Sequence, residues 1–270
     1  MQPSTQIVRA NILYFLLLTF GLSAIFYVLI ARQGSSQSAG GLYILGLMWC
    51  PGIAALLVRG LRRIKEPGMG WRPGKPLYWL LGYLIPIGYS LIAYSLIWLT
   101  GIAPFQNKID ANLIGYILFN SLTANIASLG EEIGWRGFLV PQLFQRYGFV
   151  ATALISGLIW ALWHFPLLLT SDYNRGGMGI YSLAMFSLLV LSICFPLTWL
   201  RLKSKSLWPA VLLHTSHNVF VLHVFDVLTS PSPLSPYFIS ETGAGLALIT
   251  LLLAVFFWQV EKRSSIKRVV

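Results

Sequence analysis

Residues 129–138 read LGEEIGWRGF, two adjacent carboxylates and an arginine set between long apolar runs. The whole chain of 270 residues holds only 8 Asp and Glu, so a side-by-side pair in such surroundings needs a cause. On a helix, Glu132 and Arg136 stand four apart with the acid N-terminal to the base, the favourable order for an ion pair. Glu131 points about 100° away, and its own i+4 neighbour is Trp135, not a base. The arginine therefore neutralises one carboxylate and leaves the other without a charged partner. A carboxylate in that position is suited to moving protons. A charge cluster at the interfacial end of a helix would give the same letters, so the flanking sequence has to decide.

The flanks are membrane-like. The chain is 56% hydrophobic and 10% charged, with a mean hydropathy of +0.72, whereas soluble domains carry about 25% charged residues. A spanning helix needs about 20 mostly apolar residues. Runs of that kind cover 10–31, 41–58, 77–100, 111–129, 149–170, 179–200, 206–226 and 243–260. The expected fold is an all-α, polytopic integral membrane helix bundle of about eight transmembrane helices. It forms one membrane domain over residues 1–270, with a motif-bearing core at 111–226. The first run exceeds the 7–15 residues of a signal-peptide apolar region and reads as a retained helix. The fourth contains Asn112, Asn120 and Asn125, which places it inside the bundle. The segment FLVPQLFQRYG (138–148) reads as a short amphipathic piece at the cytoplasmic face, and SPSPLSPYF (230–238) as an extended proline-rich loop.

A net charge of +11 would fit nucleic acid in a soluble protein, but the hydropathy assigns the basic residues to membrane loops instead. With a cytoplasmic N-terminus, 16 of the 19 Lys and Arg fall on the cytoplasmic side, leaving Arg32, Lys108 and Arg175 outside. Both termini are then cytoplasmic and the number of spans is even. The basic linker 58–76 reads as a juxtamembrane loop on anionic lipid headgroups. Short loops and compact size fit a prokaryotic plasma membrane. Cys50 and Cys194 sit in apolar runs without metal-type spacing and read as buried free thiols. Gly243 and Gly245 are spaced as GAG, not as the GxxxG that would announce a helix dimer.

Ionisable groups at membrane depth are functional candidates by default. Besides the opening stretch, WALWHFP (160–166) carries His164 late in an apolar helix, and HTSHN (214–218) puts His214 and Asn218 on one helix face. Both can donate hydrogen bonds, as an oxyanion-stabilising pair does. His217 is a reserve candidate, and His223 and Asp226 fall near the outer end of the same run. Depth is awkward for His164: counted from residue 149 it is about 22 Å along its helix, while Glu131 stands at the end of the fourth run. No GxSxG or HExxH occurs, which leaves serine-nucleophile and zincin chemistry unsupported.

Glu131, Glu132 and Arg136, then Trp160 to His164, then His214 to Asn218 resemble, in that order, the motifs of the CPBP family of intramembrane proteases. That family includes CAAX prenyl endopeptidases and bacteriocin-processing or immunity proteins. Its second motif usually begins with Phe; here the residue is Trp160. The resemblance implies an eight-span helical protease in which Glu131 and His164 activate a water molecule. His214 and Asn218 would stabilise the oxyanion, and Glu132 and Arg136 would brace the site. The implied substrate is a membrane-associated peptide or a C-terminal CAAX-like lipidated protein, with lipids as further partners and no nucleic acid. No cofactor is expected; the metal alternative is zinc on Glu131, His164 and His214, three ligands with an open position. The rival readings are a non-catalytic immunity or scaffolding protein and a proton-coupled transporter. Transporters commonly show internal repeats, and none is visible here.

Overall fold

The computed structural model describes residues 5–33, 40–108, 112–170 and 179–264. Arg175, Lys267 and Arg268, part of the loop-charge pattern, lie outside the described residues, as does the first residue of the 111–226 core. In hydrocarbon, backbone N–H and C=O groups must pair within their own segment, and the apolar runs accordingly fold as helices. These are α1 (Thr5–Arg32), α2 (Gly40–Leu61), α3 (Pro76–Leu99), α4 (Leu113–Glu132), α5 (Val140–Phe144), α6 (Phe149–Thr170), α7 (Ile180–Ser204), α8 (Trp208–His217), α9 (Ser235–Phe238) and α10 (Ala244–Ser264). No strand occurs among the described residues; Phe105 and Thr229 form an isolated bridge.

Six of these helices, α1, α2, α3, α6, α7 and α10, are long and apolar enough to cross a membrane. Large apolar side chains such as Leu17, Leu96, Leu118, Phe119, Leu252 and Phe256 point outward, while Asn11, Thr19, Ser23, Ser90 and Thr198 are buried. That outward greasiness suits a lipid solvent, and the protein is an integral membrane helix bundle. The remaining two of the eight runs are helical as well, but differ from simple spans. α4 is polar and runs without interruption through a π-helical segment (Ile133–Leu139) into α5. α8 is only 10 residues long and continues as a second π-helical segment, Asn218–Phe225. The two runs that fall short as spans lead into the glutamate pair and carry the His214–Asn218 motif, while His164 stands on the spanning helix α6.

The structure corrects two expectations and adds to a third. Residues 138–144 are not an amphipathic piece at the protein surface; Phe138 through Phe144 are all buried, because the helix carries on through Pro141 instead of breaking there. The α2–α3 linker does not merely skirt the headgroups. Met69 is buried in the core, and Arg201 donates to the carbonyls of Gly68 (2.7 Å) and Arg136 (2.8 Å), which fastens the linker beneath the end of α7. The 230–238 loop is not extended, since it contains α9 and is pinned where the Ser232 hydroxyl donates to the Ile102 carbonyl at 2.5 Å.

The continuous helix also settles the depth of the site. Glu131 stands thirteen residues before Phe144, roughly 20 Å, and His164 fifteen residues after Phe149, roughly 22 Å, on the two arms of one hairpin. The two side chains therefore lie at the same level.

Glycines bring α2 against this hairpin. Gly130 and Gly134 bracket the glutamate pair as GxxxG, the small-residue spacing that lets membrane helices approach closely. A Cβ on Gly134 would lie 2.4 Å from the Pro51 Cβ and 2.6 Å from its carbonyl carbon. One on Gly130 would lie 2.7 Å from the Trp49 ring, and one on Gly52 would lie 2.5 Å from the Gly130 oxygen. Gly134→Ala therefore forces backbone apart and should destabilise the protein by about 1–3 kcal/mol in thermal unfolding in detergent. Gly88→Ala, in α3 with nothing within 4 Å of the added carbon, should be neutral or slightly stabilising.

Candidate functional site

Both polar motifs fall where an α-helix gives way to a π-helical turn. Glu131 and Glu132 are the last two residues of α4, and Asn218 is the first residue of the second π-helical segment. Such widened turns are rare and concentrate at functional sites. Regular α-geometry persists up to each motif: the Asn218 N–H still reaches the His214 carbonyl, so the two side chains share a face.

Glu132 is fully buried and heavily partnered. Its Oε1 accepts from Arg136 Nη1 at 2.8 Å and from His214 Nδ1 at 3.0 Å. Arg136 also donates from Nη2 to the Cys194 sulfur at 3.0 Å and lays its guanidinium 4.3 Å from the Trp160 ring centre. The i,i+4 ion pair read from the sequence is thus present, and it is one corner of a larger network. Burying an ion pair is costly unless its remaining hydrogen-bonding capacity is used; His214, Cys194 and Trp160 use part of it, while Glu132 Oε2 and Arg136 Nε have no hydrogen-bond partner among the described residues.

Glu131 is held differently. Its Oε2 accepts from the indole Nε1 of Trp160 at 2.7 Å and of Trp135 at 3.3 Å. The i+4 residue that offered no charge in the sequence offers a neutral donor in the fold. Glu131 thus has partners but no counter-ion, and with both bonds on Oε2 it is Oε1 that is left for the cavity.

The imidazoles have fixed tautomers. His164 Nδ1 faces the Trp160 carbonyl at 2.9 Å; a carbonyl only accepts, so Nδ1 carries the proton and Nε2 is the lone pair of the neutral ring. His214 Nδ1 faces a carboxylate already bonded to Arg136, which makes it a donor as well. His214 can donate from Nε2 only when its ring carries both protons, with Glu132 as the adjacent counter-charge. His164 stands edge-on to Trp163, centroids 4.8 Å apart, and His214 edge-on to Trp160 at 5.2 Å, so aromatic walls orient both rings.

Glu131, His164, His214 and Asn218 line a single cavity of about 50 Å³ together with Trp160, Met48, Phe186, Val190, His217 and Glu241. That is room for a few water molecules. Residues 131, 164 and 214, far apart in sequence, do meet. Among the described residues, no three His, Cys, Asp or Glu side chains are grouped so as to hold a metal ion. The donor set Glu131, His164 and His214 shares the cavity without converging as ligands.

Two polar residues, one in the cavity wall and one behind it, were not read from the sequence. Glu241, in the turn before α10, accepts from His217 Nε2 at 2.9 Å, and Tyr89 of α3 bonds the other nitrogen of the same ring. His217 therefore serves this buried Tyr–His–Glu chain rather than the His214 face. Its signal was an isolated acid ahead of the last span, in a loop that folds inward. His223, by contrast, pairs with Tyr116 on the exposed side at 3.0 Å, and Asp226 accepts from Tyr94.

The family described as type II CAAX prenyl endopeptidase Rce1-like matches residues 111–220. A protein named CAAX prenyl protease 2 from Methanococcus maripaludis is 33% identical over 98 residues, 35% of this chain and 36% of that protein. The chain thus spans about a third of the length of this curated relative. The matched family segment contains Glu131, Glu132, Arg136, His164, His214 and Asn218, and leaves out Tyr89 and Glu241. With these motifs in order within the matched segment and around one buried cavity, residues 111–220 of the chain are similar to the Rce1-like CAAX prenyl endopeptidases.

Proposed function

We propose that the protein is an intramembrane endopeptidase that cleaves a membrane-associated peptide, or a lipidated protein near a CAAX-like C-terminus, by carboxylate-activated water. The observation that carries this reading is the convergence of Glu131, His164, His214 and Asn218 on one buried, water-sized cavity. The family and the printed name of the archaeal relative point to the same activity.

In the proposed reaction, water is held between Glu131 Oε1 and the Nε2 lone pair of His164. Glu131 takes a proton as the water oxygen bonds to the scissile carbonyl carbon, and the carbonyl oxygen becomes an oxyanion. His214, doubly protonated against Glu132, and the Asn218 amide donate to that oxyanion. The C–N bond then breaks, and the proton on Glu131 passes to the leaving amine. Glu132 and Arg136 touch no reacting atom; they hold His214. The loop-charge asymmetry supports a cytoplasmic placement of the termini.

Glu131→Gln keeps both indole bonds to an oxygen but removes the base. It should lower kcat by at least 100-fold with little change in thermal stability, and the protein's substrates should accumulate uncleaved C-termini in proteomes of cells carrying it. Unchanged C-termini, with loss of phenotype instead on altering the cavity aromatic Phe186, would show that the cavity binds without cutting. Prolonged dialysis against a strong chelator should leave peptidase activity within about twofold, since the lone-pair donors are not converged as ligands. Loss of activity that zinc restores would assign Glu131, His164 and His214 to a metal.

A further inference from the structure

Trp160 occupies the position at which the family's motif usually carries Phe, and it contacts Glu131, Arg136, His164 and His214. Its indole N–H donates to Glu131 Oε2 at 2.7 Å, the shorter of the two bonds that oxygen receives. Its backbone carbonyl accepts from His164 Nδ1 at 2.9 Å. Its ring face carries the Arg136 guanidinium at 4.3 Å, and its ring packs against His214 at 5.2 Å. The residue is itself buried in the core.

We propose that Trp160 is a positioning residue for Glu131: its indole N–H, seconded by that of Trp135, holds Oε2 and presents Oε1 to the cavity. The choice of donor matters chemically. A lysine or arginine there would also bond the carboxylate, but would neutralise it and weaken it as a base. An indole N–H donates without carrying a charge and has no lone pair in the ring plane to compete for the proton. A phenyl ring would keep the platform for Arg136 and His214 and lose this bond. The same residue thus aims the acid through its side chain and sets the tautomer of His164 through its carbonyl, so both partners of the hydrolytic water are registered to one point on α6.

The kinetic part of this inference rests on the peptidase reading; the spectroscopic part does not. In protein labelled with ¹⁵N at the tryptophan indoles and held in detergent micelles, Glu131→Gln should move two indole N–H resonances upfield, a larger shift from Trp160 and a smaller one from Trp135. The Trp98 indole, bonded at 2.9 Å to Thr229 Oγ1, should not move. In peptidase assays, Trp160→Phe should lower kcat about tenfold while KM stays within about twofold. Trp135→Phe should have a smaller effect in the same direction, and Trp98→Phe should leave both constants unchanged. Indole resonances that ignore Glu131→Gln would overturn the proposal whether or not Trp160→Phe folds. So would a Trp160→Phe enzyme with wild-type kcat, or one whose loss is matched by Trp98→Phe. Shifted resonances in a protein with no peptidase activity would uphold the positioning role and sink only the reaction.

Discussion

Two neighbouring carboxylates buried in a lipid-embedded bundle are the constraint around which the rest of the structure is arranged. Each would be prohibitive without donors, because no bulk water is at hand to solvate it. The protein meets the demand in two ways on consecutive residues. Glu132 is given a full counter-charge, Arg136, and a histidine; Glu131 is given two neutral indoles. One is thereby fixed as structure and the other kept chemically available. Since successive residues on a helix face about 100° apart, adjacency in sequence is what lets the two environments differ.

The packing follows from that arrangement. Arg136 can reach Glu132, Cys194 and the Trp160 face only if α4, α6 and α7 are drawn close, and the carbonyl of the same arginine is in turn gripped by Arg201. On the opposite side, Gly130 and Gly134 leave no side chain between the glutamate-bearing turn and α2. The π-helical turns at both motifs are the local backbone adjustment through which these close contacts and the cavity coexist. Glu241, in the loop before α10, and His217 line the cavity, with Tyr89 of α3 bonded behind them, so an element outside the matched family segment completes the wall.

Much of this was legible as pattern. The eight apolar runs are all helical, and the Glu132–Arg136 pair and the shared face of His214 and Asn218 follow from spacing of four on a helix. The polar fourth run, read as interior, is buried only from Ser128 onward; Ile114, Leu118, Phe119 and Leu122 stay exposed, because its asparagines satisfy themselves locally or against α8 rather than drawing the whole helix inward. What escaped the sequence has identifiable physics. Glu131's partners are indoles, and a tryptophan in an apolar run looks like core; its N–H becomes visible only when a carboxylate is found 2.7 Å away. The burial of residues 138–144 is hidden because Gln142 and Pro141 mimic an interfacial break. The small-residue spacing at 130–134 was masked by the charges inside it. Glu241 enters the site through a loop that doubles back, a tertiary event with no local periodicity.

The size of the cavity has a mechanical consequence. Room for a handful of solvent molecules is not room for an extended chain, so a polypeptide reaches Oε1 of Glu131 only when helices part. The tight seams at Gly130, Gly134 and Gly52 make the α2 side the stiff one. The yielding flank is therefore elsewhere, and opening it displaces the hydrocarbon that surrounds it.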